Sequence, residues 1–235
     1  MPQDQPRILV SWSSGKDSAW MLHLLKQAEQ RGEVEVVALL TTLSASDANA
    51  GGLGGMRVSM HGVRSEVLHA QAQACGLDCI EIALPWPCPN HEYEARMSVA
   101  MERAKYLGVS HIAFGDLFLQ DIRAYREEKL AGTGIAPLFP LWQRDTNQLA
   151  REMISGGLRA KIVSVDLAQL DASFLGREFD PALLQDLPAT CDPCGEKGEF
   201  HTLVYDAPSF HSPLEIVEGQ RKIGESFAHL DYLLR

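Results

Sequence analysis

The sequence predicts an α/β fold in which a Rossmann-like parallel sheet carries helices on both faces and is followed by a smaller C-terminal α+β domain. In the N-terminal half, strand-like and helix-like segments alternate four times, which is the pattern of βαβ units. Two polar segments that contain glycine, 13–18 and 115–116, directly follow predicted strands. Parallel sheets bind ligands beyond the carboxyl ends of their strands, so we expect both segments at one ligand-binding edge.

The individual elements follow from the spacing of apolar residues. Short apolar and β-branched runs predict strands at 8–12, 34–43, 78–85 and 111–116. Apolar residues that recur every three or four positions predict helices at 17–31, at 63–75 and from Asn90 onward, with Asn90 as the N-cap. In the second half we expect a strand at 159–166, a short helix at 181–187 and a β-hairpin or meander at 214–234.

The composition is that of an ordinary globular protein. The chain has 235 residues, of which 46% are hydrophobic and 22% are charged. A formal net charge of −10 without a cluster of Lys and Arg argues against general nucleic-acid binding, because phosphates need a basic surface. We expect no membrane span and no signal peptide. The five cysteines form an odd and sparse set, which favours reduced thiols and a cytoplasmic location.

The segment "SWSSGKDS", residues 11–18, begins where the first predicted strand ends. A Walker A loop needs a glycine five positions before Gly15 and a Ser or Thr after Lys16. This chain has Val10 and Asp17 at those positions. The G-x-G-x-x-G spacing of dinucleotide sites is also missing, so the segment belongs to neither class.

Small and hydroxyl-bearing residues at a strand-to-helix turn nevertheless suit an anion. Backbone N–H groups, hydroxyls and the helix N-terminus can converge on a phosphate, and Lys16 adds a positive charge. Asp17 suits a helix cap or a bound cation. The predicted phosphate-binding residues are Ser13, Ser14, Gly15, Lys16, Asp17 and Ser18. The alternative is a capped helix that carries a surface lysine.

This segment resembles the pyrophosphate-binding loop S-G-G-x-D-S, the PP-loop of the N-type ATP pyrophosphatases. Ser14 stands where that loop usually has its first glycine. The resemblance implies that the loop binds the β- and γ-phosphates of ATP. It also implies that cleavage falls between the α- and β-phosphates, which gives AMP and pyrophosphate.

The connection at 44–62 is unusually long and is rich in Gly, Ala and Ser. Connections of this length are usually functional or disordered. We predict a mobile flap that orders over a bound nucleotide, with Arg57 and His61 closing on ATP.

Four further segments follow the loop in the order "RVSMHGVR", "GDLFLQDIRAYRE", "FPLWQRD" and "CGEKGEFHTLVYDAP". Together with the loop they resemble the diphthine–ammonia ligase family, which acts in the last step of diphthamide synthesis, and its relatives of unassigned substrate. The resemblance covers nearly the whole chain. It implies an adenine nucleotide alpha hydrolase-like fold followed by a smaller substrate domain. The character of the sequence changes after about residue 132, so we expect an ATP-binding PP-loop domain at 1–131 and a substrate-binding domain at 132–235.

The reaction that the resemblance implies is an ATP-dependent amidation with Mg²⁺ and ammonia. A carboxylate attacks the α-phosphate, pyrophosphate leaves, and ammonia displaces AMP from the acyl-adenylate. The implied acceptor is the diphthine carboxylate of elongation factor 2. A homo-oligomer is one option for the assembly.

The resemblance also implies roles for single residues. Lys16, Asp17, Glu196 and Glu199 are the expected catalytic residues, Gly115 and Asp116 join the nucleotide site, and Asp17 and Asp116 are the expected metal ligands. The expected substrate-binding residues are Gly195, Glu196, Gly198, Glu199, Phe200, His201 and Trp142. Two carboxylates beside Phe200 would suit a cation, either the trimethylammonium group of diphthine or ammonium. The structural alternatives are exposed acids in a turn and a core tryptophan at the domain junction.

Cys191 and Cys194, followed by His201, could form half of a zinc site or a redox pair. The sequence has no second pair at matching spacing, so a packing role is favoured.

Three other functions compete with amide formation on diphthine. The same chemistry could act on a small carboxylate or on another modified side chain. A non-catalytic adenine-nucleotide sensor is the alternative from another class, although a sensor has no need of a second acidic segment such as "GEKGEF". Thiolation of tRNA would want catalytic cysteines near the nucleotide and a basic surface, and the acidic balance disfavours it.

Overall fold

The fold was analysed in a computed structural model that describes residues 5–45, 53, 55–59 and 61–235. In chain order its elements are β1 (Arg7–Ser11), α1 (Lys16–Gln30), β2 (Glu35–Ala45), β3 (Met56–Val58), α2 (Ser65–Cys75), β4 (Cys79–Leu84), α3 (Asn90–Tyr106), β5 (His111–Ala113), α4 (Gln120–Leu130), β6 (Ala136–Leu138), α5 (Thr146–Ser155), β7 (Arg159–Asp166), α6 (Pro181–Asp186), β8 (Phe200–Asp206), β9 (Ile216–Ile223) and β10 (Phe227–Leu234). A single 3₁₀ turn, Ala172–Phe174, follows β7 within this described part.

The first sheet is parallel except for β3. Strand β1 lies between β2 and β5, β5 pairs with β6, and β4 pairs with β2, all in parallel. Strand β3 runs antiparallel to β2 beyond the end of β1. The parallel strands therefore follow the order β4-β2-β1-β5-β6, and their carboxyl ends meet at one edge.

Helices cover both faces of this sheet, as the sequence predicts. Successive residues of a strand point to opposite faces, and Leu9 and Val10 of β1 accordingly belong to two different apolar clusters. The cluster around Val10 includes residues of α1 and α2, whereas the cluster around Leu9 includes residues of α3 and α4. The α/β prediction is therefore confirmed.

The second sheet is antiparallel and has the strand order β8-β7-β10-β9. Ile162 of β7 and Val204 of β8 are fully buried in the same apolar cluster as Val10 of the first sheet. Strand β6 lies beyond residue 131 and completes the first sheet through β5. The division of the chain into 1–131 and 132–235 stays a prediction.

Two local features of the helices differ from what the apolar pattern predicts. Asn90 is the first residue of α3, and Pro89 takes the cap position with φ −65° and ψ 148° and without a side-chain hydrogen bond. The fixed φ of proline suits this extended position, so the helix begins without the expected Asn cap. The apolar pattern does not predict helix α4, because Leu130 is its only buried residue and the helix has no apolar stripe. None of the described helices combines the length and the apolar character that a membrane span requires.

Candidate active site at the carboxyl edge of the first sheet

The predicted phosphate loop joins β1 to α1 and is held from behind by distant elements. The Ser14 carbonyl accepts hydrogen bonds from Val204 N at 3.0 Å and from Gln71 Nε2 at 3.2 Å. Ser14 has φ 68°, in the left-handed region that favours glycine, and its buried hydroxyl has no hydrogen-bond partner among the described residues. The PP-loop pattern has glycine here, and the backbone of this chain adopts the conformation that glycine favours.

Gly15 lies where the loop packs against two other segments. A Cβ atom at this position would be 2.6 Å from Cε1 of His61 and 3.3 Å from the carbonyl oxygen of Thr202. The next backbone N–H, that of Lys16, donates to Thr202 Oγ1 at 3.1 Å. The His61 ring and β8 therefore leave little room for a side chain at position 15.

The loop hydroxyls bond to one another at the start of α1. Ser18 Oγ donates to the Gly15 carbonyl at 2.9 Å and lies 3.2 Å from Ser13 Oγ. The result is a compact turn at a helix N-terminus, where the helix dipole favours an anion.

Lys16 is only 3% exposed, so the alternative of a surface lysine is wrong. Its ammonium donates to Asp17 Oδ2 at 2.8 Å and to the Cys194 carbonyl, and it lies 5.4 Å from the centre of the Phe200 ring. Burial alone would lower the pKa of Lys16, but the attraction of Asp17 and other acidic groups raises it. A buried ammonium whose charge is favoured by its acidic neighbours thus joins the loop to the turn before β8.

Asp17 and Asp116 provide two carboxylates where the two predicted loops meet. A Cβ atom on Gly115 would be 3.3 Å from the Asp17 carbonyl carbon, so the second loop packs directly on the first. Burial raises the pKa of Asp17 and of Asp116, although Lys16 and Arg126 respectively oppose the shift. Oδ1 of Asp17 and Oδ2 of Asp116 are buried and have no hydrogen-bond partner among the described residues.

These unpartnered oxygens fit a hard cation. Mg²⁺ usually takes one or two carboxylates and completes its shell with phosphate oxygens and water. Among the described residues, no group of three or more His, Cys, Asp or Glu side chains is placed to hold a metal ion. A metal held by Asp17 and Asp116 would therefore need further ligands from phosphate or water. Asp17 and Asp116 are therefore suited to a magnesium ion that binds together with a nucleotide.

Glu196 reaches the same edge from the turn before β8. Its Oε1 accepts hydrogen bonds from Leu117 N at 2.8 Å and from Phe118 N at 3.3 Å. Burial raises the pKa of Glu196 to about 7, the two backbone hydrogen bonds oppose this shift, and the negative charge of Asp17 adds to it. A carboxyl group that changes charge near neutral pH thus lies beside Asp17 and Lys16.

Glu199 differs from Glu196 in its surroundings. It is 0% exposed, which rules out an exposed acid, and its two oxygens accept hydrogen bonds from Asp192 N at 2.7 Å and Lys197 N at 2.9 Å. Gly195 completes the turn with φ 67°, and a Cβ there would be 2.8 Å from the Phe200 carbonyl oxygen. These contacts assign Glu199 to holding the turn, and its predicted direct role in catalysis gains no support from them. Gly198 also has a positive φ, 84°, but faces open space.

Cys191 and Cys194 are free thiols inside this turn. Burial raises the pKa of both thiols, that of Cys191 to about 12. Cys194 Sγ lies 3.5 Å from the Thr146 carbonyl oxygen. Both thiols are buried within this turn, where they pack against neighbouring groups.

His61 and His201 stack on each other with ring centroids 4.5 Å apart. Burial and the neighbouring His201 hold the pKa of His61 well below its usual value, while burial and Lys16 lower the pKa of His201 to about 4. Both rings are therefore neutral at pH 7. His61 lies against the predicted phosphate loop at Gly15, and its closing on ATP stays a prediction.

Arg57 and Trp142 have other neighbours. The Arg57 guanidinium forms an ion pair with Asp231 of β10, with Nη1 to Oδ1 at 2.8 Å. Trp142 is half-buried, and its ring centre lies 5.9 Å from that of Phe139. Within the predicted flap, residues 46–52, 54 and 60 lie outside the described residues, so ordering of the flap over a nucleotide stays a prediction.

Sequence reasoning missed several residues that complete the site. Thr202 accepts a hydrogen bond from Lys16 N in the loop, and the backbone N–H groups of Leu117 and Phe118 donate to Glu196. All three residues belong to the segments that carry the family resemblance. Arg126 Nε lies 3.6 Å from Asp116 Oδ2. In the sequence, Arg126 follows Arg123 by three positions on a segment of helix-forming residues, a spacing that places both side chains on one face of a helix.

The parallel sheet, the serine-containing loop at the end of β1 and the acidic residues around it define an α/β protein with a candidate anion-binding site at the carboxyl edge of its first sheet. A family model described as the diphthamide synthase C-terminal domain matches residues 145–232. The resemblance to the diphthine–ammonia ligase family is confirmed by this match and by the curated relatives.

These relatives are named diphthine–ammonia ligase. The Rattus norvegicus protein is 31% identical over 145 residues, which cover 58% of this chain and 53% of the relative. The Homo sapiens protein is 32% identical over 123 residues, which cover 49% and 46% of the two chains. The Schizosaccharomyces pombe protein is 34% identical over 91 residues, which cover 36% of this chain and 15% of the relative. The chain thus spans about half the length of the mammalian relatives that it matches.

Proposed function

We propose that this protein is an ATP-dependent carbon–nitrogen ligase that converts a carboxylate to an amide and releases AMP and pyrophosphate. One observation carries the proposal. Glu196, a carboxyl group with a pKa of about 7, lies close to Asp17 in the serine loop. A phosphate-binding turn and a group able to exchange a proton near neutral pH are the two parts that an amide ligase needs.

In the first half-reaction, an oxygen of the acceptor carboxylate attacks the α-phosphorus of ATP. The bond from this phosphorus to the bridging oxygen breaks, and pyrophosphate leaves. The N-terminus of α1, the hydroxyls of Ser13 and Ser18 and the buried ammonium of Lys16 would stabilise the departing charge. Asp17 and Asp116 would hold a magnesium ion, which neutralises phosphate charge when bound.

In the second half-reaction, ammonia attacks the activated acyl carbon, the bond to the AMP oxygen breaks, and one proton is released. At neutral pH most ammonia is protonated and cannot attack. The ionised carboxylate of Glu196 is suited to bind ammonium and to take its proton, because its pKa of about 7 keeps both charge states accessible. The negative charge of Asp17 favours a cation at the same position.

The acceptor follows from the family resemblance. The relatives are named diphthine–ammonia ligase, so diphthine on elongation factor 2 is the proposed acceptor and ammonia the proposed nitrogen source. The cytoplasmic location and a homo-oligomeric state remain part of this proposal. Glu199 supports the turn that carries Glu196, and Phe200, His201 and Trp142 are the proposed neighbours of the acceptor.

The test is product analysis with ATP labelled at the α-phosphate, ammonium and elongation factor 2 that carries diphthine. We expect AMP and the amide, identified by mass spectrometry, in equal amounts. Glu196→Gln should lower the rate about 100-fold or more and should abolish the acid limb of the pH–rate profile near pH 7. Glu102→Gln, at an exposed position on α3, is the matched control and should keep the wild-type rate.

Other products would separate the remaining hypotheses. AMP formation with a different carboxylate, and none with elongation factor 2, would keep the chemistry and change the acceptor. Tight ATP binding without turnover would favour the nucleotide sensor. Release of ADP would contradict cleavage between the α- and β-phosphates.

A further inference from the structure

Helix α4 places two arginines over a row of aromatic rings at the carboxyl ends of β5 and β6. Phe114 and Phe139 are stacked with ring centres 5.7 Å apart, and Trp142 continues the row 5.9 Å from Phe139. The Arg126 guanidinium carbon lies 4.8 Å from the centre of the Phe114 ring. The Arg123 guanidinium carbon lies 4.8 Å from both Phe139 and Trp142.

The two guanidinium groups retain unused hydrogen-bond donors. Arg123 Nε donates to Glu127 at 2.8 Å, and its terminal nitrogens donate no hydrogen bond to any described residue. Arg126 Nε is buried and lacks a hydrogen-bond partner in the same part of the chain, with Asp116 Oδ2 at 3.6 Å as its ion-pair neighbour. Aromatic contacts fix the positions of these cations while several N–H groups stay available to a ligand.

The row adjoins the proposed active site. Asp116 connects the row to the site, because the negative charge of Asp17 acts on Asp116 on one side and Asp116 pairs with Arg126 on the other. The Leu117 N–H binds Glu196, and the Leu117 carbonyl accepts from Gln143 N, next to Trp142, at 2.7 Å. A group bound by the arginines would therefore lie beside the three carboxyl groups of the site.

We propose that Arg123 and Arg126 form the subsite for the acceptor carboxylate, an inference that rests on the proposed function. A guanidinium presents paired N–H donors that match the two oxygens of a carboxylate. An acceptor carboxylate that approaches Asp17, Asp116 and Glu196 would be repelled by like charge, and the two arginines offset this repulsion. The same chemistry suits a phosphate oxygen, so the nucleotide is the competing source of the anion.

Direct binding distinguishes these sources without reference to turnover. Isothermal titration of the full chain at low salt uses citrate as the carboxylate probe and a nonhydrolysable ATP analogue as the phosphate probe. We expect saturable citrate binding that weakens about 10-fold or more in Arg123→Gln and in Arg126→Gln. In Arg123→Gln, which has no contact with Asp116, affinity for the ATP analogue should stay within about twofold of wild type.

Arg96→Gln is the matched control, because Arg96 pairs with Glu92 on α3 with the same spacing of four as Arg123 and Glu127. It should bind both probes like wild type, and unfolding curves should establish that every variant is folded. Absence of saturable citrate binding in wild type would overturn the proposal, as would unchanged citrate binding in both variants. Weaker binding of the ATP analogue alone would reassign the subsite to the nucleotide.

Kinetics add a readout that a structural role would not produce. With elongation factor 2 carrying diphthine as acceptor, both variants should raise KM for the acceptor about 10-fold, and Arg123→Gln should change kcat by less than about threefold. Failure of the proposed function would appear differently, as a wild-type protein that makes no amide. The citrate titration would still decide the subsite in that case.

Discussion

Arg57 and Asp231 form an ion pair between the first sheet and the last strand of the second, and each side chain is only 3% exposed. Two bonds join the groups, Nη1 to Oδ1 at 2.8 Å and Nη2 to Oδ2 at 3.3 Å. Arg64 Nε donates to Oδ2 of the same carboxylate at 2.8 Å. Burial would raise the pKa of Asp231, but the hydrogen bonds from Arg57 and Arg64 lower it.

Asp231→Ala should therefore destabilise the protein strongly. It leaves the buried Arg57 charge without its carboxylate, which typically costs about 3–5 kcal/mol of the free energy of unfolding. Arg64→Ala is the control, because the Arg64 side chain is 32% exposed and its pair with Asp231 should contribute about 1 kcal/mol or less. Urea unfolding measures both, and equal losses would contradict the assignment.

Ser14→Gly should stabilise the phosphate loop. Glycine adopts the observed φ of 68° without strain, and the change removes a buried hydroxyl that lacks a partner in the described structure. The gain is about 1 kcal/mol, partly offset by the greater freedom of glycine in the unfolded chain. Thermal unfolding should show a higher Tm for this variant. Ser13→Gly, which removes a hydrogen-bonded hydroxyl, should lower the Tm; a lower Tm for Ser14→Gly as well would exclude strain at this residue.

Gly195 and Gly198 offer a matched comparison within the turn that carries Glu196. Both have a positive φ, so alanine at either position costs about 1–2 kcal/mol. At Gly195 the new Cβ would also lie 2.8 Å from the Phe200 carbonyl, whereas at Gly198 it meets open space. Chemical denaturation should rank Gly195→Ala as clearly less stable than Gly198→Ala. The reverse order would count against this turn geometry.

The first sheet could be predicted from sequence because β1 and β2 are runs of buried apolar residues and α1 carries a regular apolar stripe. Helix α4 could not, since it covers the sheet with charged residues and buries Leu130 alone. The loop at Ser13–Ser18 is visible locally, but its partner Thr202 lies 186 residues from Lys16, and Asp231 lies 174 residues from Arg57. No local pattern encodes such pairings, which arise only when the two sheets pack.

The raised pKa of Glu196 makes stability depend on pH. Because the folded protein holds this proton up to about pH 7, against an ordinary value of 4.5, the contribution of Glu196 is greatest below pH 4.5 and is lost as the pH rises towards 7. Glu196→Gln removes this loss. The free energy of unfolding of the variant relative to wild type should increase by about 1–2 kcal/mol between pH 5 and pH 8, after allowance for solvent screening.

Guanidinium chloride unfolding across this pH range provides the measurement for Glu196→Gln. Glu102→Gln, at a position that is 70% exposed, should give a difference from wild type that does not vary with pH. A difference for Glu196→Gln that is equally flat would mean that the carboxyl group titrates near its ordinary pKa.

The hydrogen bond between Lys16 N and Thr202 Oγ1 has a consequence for the order of events during protein synthesis. A ribosome makes the glycine-and-serine turn long before it makes Thr202, so the emerging chain has the turn without the strand that fixes it. Under the proposed function, ATP binding should consequently begin only after β8 has left the exit tunnel and paired with β7. Nascent chains stalled before and after that point would differ in nucleotide retention, although both contain every residue of the turn.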